Sequence, residues 1–269
     1  MLFLRSTTLI RTGFRTDTFA RPFCATIRTI EVMQALLYGI AERGLWAVFA
    51  VATLSFLLYY LIFAALGWWL SKSVFPRWRI GDVVDKTPLR KGQVEKEIRR
   101  SALSIAIFGA YGVVNVEMYR WGWVDVEWNA SVMRIAWDFV LLFLFNEVHF
   151  FCCHRLLHTP WLFKHVHRVH HESVPTTPFS TFSFHWVESL LLGSVMSSAM
   201  LVHTFSIWAL LGLPSFSLFF NTIGHWNYNV FAPTGLRSVS VEHSHHHMRV
   251  KGNFGFFLPV LDRVFHTYL

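Results

Sequence analysis

The stretch His154-Arg-Leu-Leu-His158-Thr-Pro160-Trp-Leu-Phe-Lys-His165-Val-His167-Arg-Val-His170-His171 holds six of the chain's fifteen histidines in eighteen residues. A second box of the same form, His243-Ser-His-His246-His247, follows about seventy residues later. At about 100° per residue a helix puts His154 and His158 on one face, and it gathers the three named histidines of each His-x-x-His-His run within an arc of about 100°. His165 and His245 fall on the far side by the same arithmetic. This repeated choice of one face is the sequence's strongest signal, and a new helix after Pro160 is expected to carry the second run.

Around these boxes lies an apolar chain. Of 269 residues, 54% are hydrophobic and only 15% charged, against about 25% charged in soluble domains. That balance predicts a membrane protein. The net charge of +8 (24 Lys and Arg against 16 Asp and Glu) then reads as a topology signal rather than a nucleic-acid footprint, since no nucleic-acid-binding motif accompanies it. Cys152 and Cys153 are adjacent and Cys24 is remote, so no disulfide framework is implied.

Upstream, residues 1–44 read as an N-terminal segment and 45–269 as a membrane-embedded domain whose histidine core runs from about 147 to 267. Residues 1–32 carry five arginines among threonines and few acids. They have the composition of a targeting peptide, or else an over-extended start with Met33 as initiator. Leu45 to Leu70 is uncharged and long enough, at about 39 Å of helix, to cross a bilayer. Ser71 to Arg100 holds nine basic and four acidic residues, which places it in the cytoplasm by the positive-inside rule. Ser101 to Tyr119 returns, a Trp-rich loop from Arg120 to Ala130 sits at the outer interface, and Met133 to Cys153 crosses back. Val187 to Phe220 predicts a hairpin of two short arms meeting near His203 and Thr204. The fold expected is therefore all-α: a multi-pass bundle of about three spans plus a helical hairpin, with a cytosolic helical histidine-rich cap. Every box faces the same compartment.

Neutral imidazole binds zinc, copper, iron or nickel well. The candidate ligands are His154, His158, His167, His170, His171, His243, His246 and His247, too many for one metal and enough for two. His225 is a ninth, and Asn229 stands four residues on, where a second histidine would sit; it is expected to bind, to hold a water or to leave a position open. Glu147, two turns before His154, is expected to steady a metal-bound imidazole. Asp138 is expected to pair with Arg134 one turn earlier. His149, His203 and His266 are set aside as ordinary surface or core histidines. On this reading His154 to His171 forms one half of a two-metal site, and His243 to His247 with His225 forms the other.

The four motifs His154-x-x-x-His158, His167-x-x-His170-His171, Phe184-His185-x-x-Glu188 and His243-x-x-His246-His247 followed by Asn253-Phe-Gly resemble the fatty acid hydroxylase and sterol desaturase superfamily. The resemblance runs from about Glu147 to Thr267. It implies an integral membrane oxidoreductase of the bacterial inner membrane or endoplasmic reticulum that hydroxylates or desaturates a lipid, a sterol or a fatty acyl chain. It also implies two iron ions on the nine histidines, dioxygen as co-substrate and electrons from a separate reductase or carrier protein, with zinc able to occupy the isolated protein. No catalytic residue separate from the ligands is implied; His185 is expected either to bind metal or to support the site, and Glu188 is a supporting candidate. The rival class is a histidine-rich membrane metal transporter or metal-binding protein, which would need ligands along the spans.

Overall fold

The computed structural model describes residues 35, 39, 40, 42–232 and 238–269; the expectations for residues 1–32 lie outside them. Gly44–Leu269 forms a compact unit by itself. Its frame is set by four helices long and apolar enough to cross a membrane. The first, α1 (Leu45–Trp69), runs on through a π-helical turn at Leu70–Val74 into α2 (Phe75–Trp78). Only Val48, Tyr60, Ala64 and Gly67 of α1 are buried, and its outward surface of Leu54, Leu58, Leu61 and Ile62 is what a lipid-facing helix presents. A short connector holds β1 (Asp82–Val83). The second span, α3 (Gln93–Arg120), packs on α1 at very close range. A side chain at Gly109 would collide with Thr53, and one at Gly112 would come within 2.7 Å of the Ala52 Cβ, the small-residue packing by which membrane helices approach.

After β2 (Val126–Glu127), the third span α4 (Val132–Leu157) begins at Ser131, whose hydroxyl accepts the Arg134 N–H. Asp138 in its second turn pairs with Arg134 at 2.8 Å, as expected, and also takes the Ser206 backbone N–H at 2.7 Å. Thr159 and Pro160 end α4 and start α5 (Pro160–His165), proline sitting at a position where its missing N–H costs nothing. The expected helix for the second box is instead a 3₁₀ turn, His167–Glu172. Glu172 at its end is bound by Lys96 and Arg100, and Arg100 also donates to the Val169 carbonyl, so contacts to α3 fix this segment. A second 3₁₀ turn spans Pro178–Phe182.

The hairpin is present but uneven. Its first arm is broken into α6 (Trp186–Gly193) and α7 (Val195–Met200), and a turn leads through β3 (Phe205–Ser206) into a single long arm, α8 (Ile207–His225). The first arm docks on α3 by hydrogen bonds: Ser189 to Ser104 at 2.8 Å, Tyr111 to the Leu190 carbonyl at 2.7 Å and Ser197 to Asn115 at 2.6 Å. The pair β2 and β3 lies parallel at one end of the bundle. At the other end β4 (Tyr228–Asn229) pairs antiparallel with β1. The chain finishes with α9 (Val239–Arg249), a loop and α10 (Val260–Val264).

Candidate metal centre

Three helix ends and one 3₁₀ turn meet at the end of the bundle where β1 and β4 pair. The last turn of α4 brings His154 and its C-cap His158, the last turn of α8 brings His225, and α9 brings its box across them. All nine histidines named from the sequence meet there, in two groups. His154, His158, His167, His171 and His246 form one; His170, His225, His243 and His247 form the other; within each, the ring nitrogens lie within 4.8 Å of one another. The division does not follow the two halves expected. Each His-x-x-His-His box gives its i, i+4 pair to one group and its middle histidine to the other: His167 and His171 go with His246, whereas His243 and His247 go with His170.

The tautomers follow from the hydrogen bonds. The Nδ1 of His154 meets the Phe254 carbonyl at 2.9 Å, that of His246 the Gly252 carbonyl at 2.7 Å and that of His225 the Asn221 carbonyl at 2.8 Å. The Nδ1 of His167 meets Glu188 Oε1 at 2.8 Å. A carbonyl or carboxylate oxygen only accepts, so these rings carry their proton on Nδ1 and turn a bare Nε2 lone pair inward. There the Nε2 atoms crowd: His225 and His243 stand 3.0 Å apart, His243 and His247 3.1 Å, His170 and His247 3.2 Å, His158 and His246 3.2 Å. The Nε2 atoms of His167 and His171 are buried with no partner. A cation set among these atoms satisfies the Nε2 lone pairs that His154, His167, His225 and His246 turn inward.

A proton does not meet that need. Burial, and then the neighbouring imidazoles, hold His167, His170, His171, His243 and His247 well below the usual histidine range; for His246 the causes are burial and His154. Burial and His246 push His158 down to about 3. The residues present therefore fit a pair of metal ions, and an all-imidazole donor set suits iron, zinc, copper or nickel.

The remaining expectations fare differently. Glu188 is fully buried and orients His167. Glu147 reaches no histidine; its Oε2 accepts the backbone N–H groups of Phe257 and Leu258 at 3.1 and 2.8 Å, because the loop after α9 passes beside α4 at that level and needs its N–H groups satisfied. His185 caps α6 through the Val187 N–H and belongs to neither group. Asn229 is drawn into the β1–β4 ladder, its side chain accepting the Phe231 N–H, and it too lies outside both groups. His165 is exposed and turned to the Trp161 carbonyl, and His245 is in neither group.

Sequence reasoning missed the accepting carbonyls at Asn221 and Gly252, and gave no role to Phe254 of the fourth motif, whose ring packs on His154, His158 and His246. The position of Asn221 four residues before His225 was the available signal. A narrow cavity touches both groups: His154 and His167 of one and His170, His225 and His243 of the other line it, with Phe150, Leu157, Phe184 and Leu192 as its apolar wall.

Residues 139–267 match the fatty acid hydroxylase family. The chain is 25% identical over 200 residues to a cholesterol 25-hydroxylase-like protein of Danio rerio, covering 66% of this chain and 75% of the relative. It is 24% identical over 236 residues to a Delta(7)-sterol 5(6)-desaturase of Candida glabrata, covering 84% of this chain and 61% of the relative. A Delta(7)-sterol 5(6)-desaturase of Schizosaccharomyces pombe is 26% identical over 169 residues, 61% of this chain and 47% of the relative. The chain thus spans less than two thirds of the two desaturases. No solved structure matches.

Proposed function

The chain is a member of the fatty acid hydroxylase and sterol desaturase superfamily, and from that premise we propose that it is a membrane-bound, dioxygen-dependent di-iron oxidoreductase that hydroxylates or desaturates a lipid. One observation carries the reading: two groups of neutral imidazoles, their Nε2 atoms converging, stand against one apolar cavity at the end of the spans. A transporter would need ligands spaced along the spans, and both groups lie at one end.

His154, His158, His167, His171 and His246 would hold one iron and His170, His225, His243 and His247 the other. Bound there, two ferrous ions would furnish electrons to reduce dioxygen to an oxidant able to take hydrogen from an unactivated C–H bond. The protein's part is positional. Carbonyls of Phe254, Gly252 and Asn221, together with Glu188 Oε1, fix the proton on Nδ1 and aim Nε2 at the metal, raising ligand basicity. Phe150, Leu157, Phe184 and Leu192 give the substrate carbon an apolar bed and leave little room for water. A lipid enters sideways from the bilayer.

Electrons come from a separate carrier. Arg155, Arg168 and Arg249 are exposed on the elements that carry His158 and the two boxes, and Lys164, Lys251 and Arg263 are exposed on the segments next to them, which suits an acidic partner. The basic connector between α1 and α3 lies at the same end of the spans, and the positive-inside rule then turns the histidines to the cytoplasm. The test is a lipid profile of a host expressing the protein with a reductase under labelled dioxygen. A labelled alcohol identifies hydroxylation, and an unlabelled alkene identifies desaturation. Either product should vanish in His170→Ala and His246→Ala along with bound iron; a product that survives both substitutions sinks the reading.

A further inference from the structure

Glu188 is 1% exposed. One of its oxygens is engaged by His167, while the other, Oε2, is buried without a partner among the described residues. The residue lines the cavity beside the histidines. So does Asn221, whose backbone carbonyl orients His225 and whose side chain makes no hydrogen bond among the described residues. A buried, unpartnered carboxylate oxygen and a half-buried amide thus share a cavity whose other walls are apolar side chains and metal-facing imidazoles. Its narrow interior takes a group about the size of one water molecule.

We infer that Glu188 Oε2 and the Asn221 amide form a hydroxyl-binding niche, which selects lipids bearing a free hydroxyl close to the carbon that is oxidised. The inference rests on the lipid-oxidising reading and names its substrate class. Chemistry excludes the other common lipid groups. A carboxylate brings no proton to Oε2, and an ammonium would sit against the cations held by nine imidazoles. An ester or ether oxygen gives no donor to Oε2. A hydroxyl donates once, to Oε2, and accepts once, from the Asn221 amide, without carrying charge. Since His154, His167, His170, His225 and His243 line the same cavity, a hydroxyl held there fixes which neighbouring carbon lies next to the metals. Such a niche discriminates because a ligand lacking the group leaves the buried Glu188 Oε2 unpaired.

The test uses full-length protein loaded with zinc, which is redox-silent, in nanodiscs. Binding is compared for cholesterol against its 3-methyl ether and for hexadecan-1-ol against 1-methoxyhexadecane. The alcohol should bind at least about tenfold more tightly than its ether on one scaffold or both, and the scaffold that shows the preference assigns a sterol or an alkyl alcohol. Asn221→Leu should reduce the preference to under about threefold with zinc content unchanged; Asn221→Ser serves where the larger side chain prevents folding. Equal binding of alcohol and ether on both scaffolds overturns the inference and leaves the niche holding a water only. A preference untouched by both substitutions overturns it as well. If alcohols are selected but the iron-loaded protein oxidises none, the niche stands and the oxidoreductase reading falls.

Discussion

Glu188 decides the aim of a ring it does not replace. Its carboxylate holds the His167 Nδ1 proton, and without that acceptor the ring is free to turn and take the other tautomer. Glu188→Leu should weaken metal binding about 10- to 100-fold, read by competition with a zinc chelator. Glu188→Gln, whose carbonyl still accepts, should stay within about threefold. At this scale much is legible in the amino-acid sequence: helical phase and motif together pick out all nine histidines. Which of the two groups each joins is not. Phase says that His167, His170 and His171 share a side of the chain. That His170 turns to His225 and His247 while its neighbours turn to His158 and His246 is decided by elements distant in sequence. Glu147 misleads for a similar reason, since helical phase places it below His154 and cannot show a loop arriving from Phe257.

Elements are legible in proportion to their apolar length. The spans follow their hydrophobic runs, because a bilayer demands backbone hydrogen bonds satisfied within each segment, although α3 starts at Gln93, eight residues ahead of its run, and only the second hairpin arm is long enough to cross. The segments between them answer to tertiary contacts. Lys96 and Arg100 pull on Glu172 and favour a 3₁₀ turn where the pattern gave an α-helix, and docking on α3 breaks the first hairpin arm at Ser194. The contact of α1 with α3 depends on missing side chains. Gly109→Leu should destabilise the protein by about 1 to 3 kcal/mol, seen as an earlier thermal unfolding in detergent. Leu61→Ala on the outward face of α1 should change stability by less than about 0.5 kcal/mol.

For the whole molecule, acid is the natural solvent of the site. Burial depresses the pKa values of His158, His167, His170, His171, His243, His246 and His247, with His158 at about 3 against 6.5 for the free side chain. The unfolded chain therefore binds more protons than the native one below pH 6.5. Stability from this source is fully present above that pH and is lost as pH falls toward the folded values. Metal-free protein should show a constant unfolding temperature above about pH 7 and a steep decline below about pH 6. Metal-loaded protein should release its ions over the same interval, measured by elemental analysis after gel filtration. Flat stability down to pH 4 would show that the imidazoles are not buried neutral.

The crossing of the boxes between the two groups reaches further than geometry. His246 leaves its own helix neighbours to complete the group of five, and His170 does the same for the group of four. On the proposed reading, filling one site orders strands of chain that the other site also needs, so the second ion binds a centre already assembled. Occupancy then tends toward none or both. Under scarcity of iron, a cell would hold a mixture of empty and complete enzymes, with total output scaling with supply while each working copy keeps its full rate.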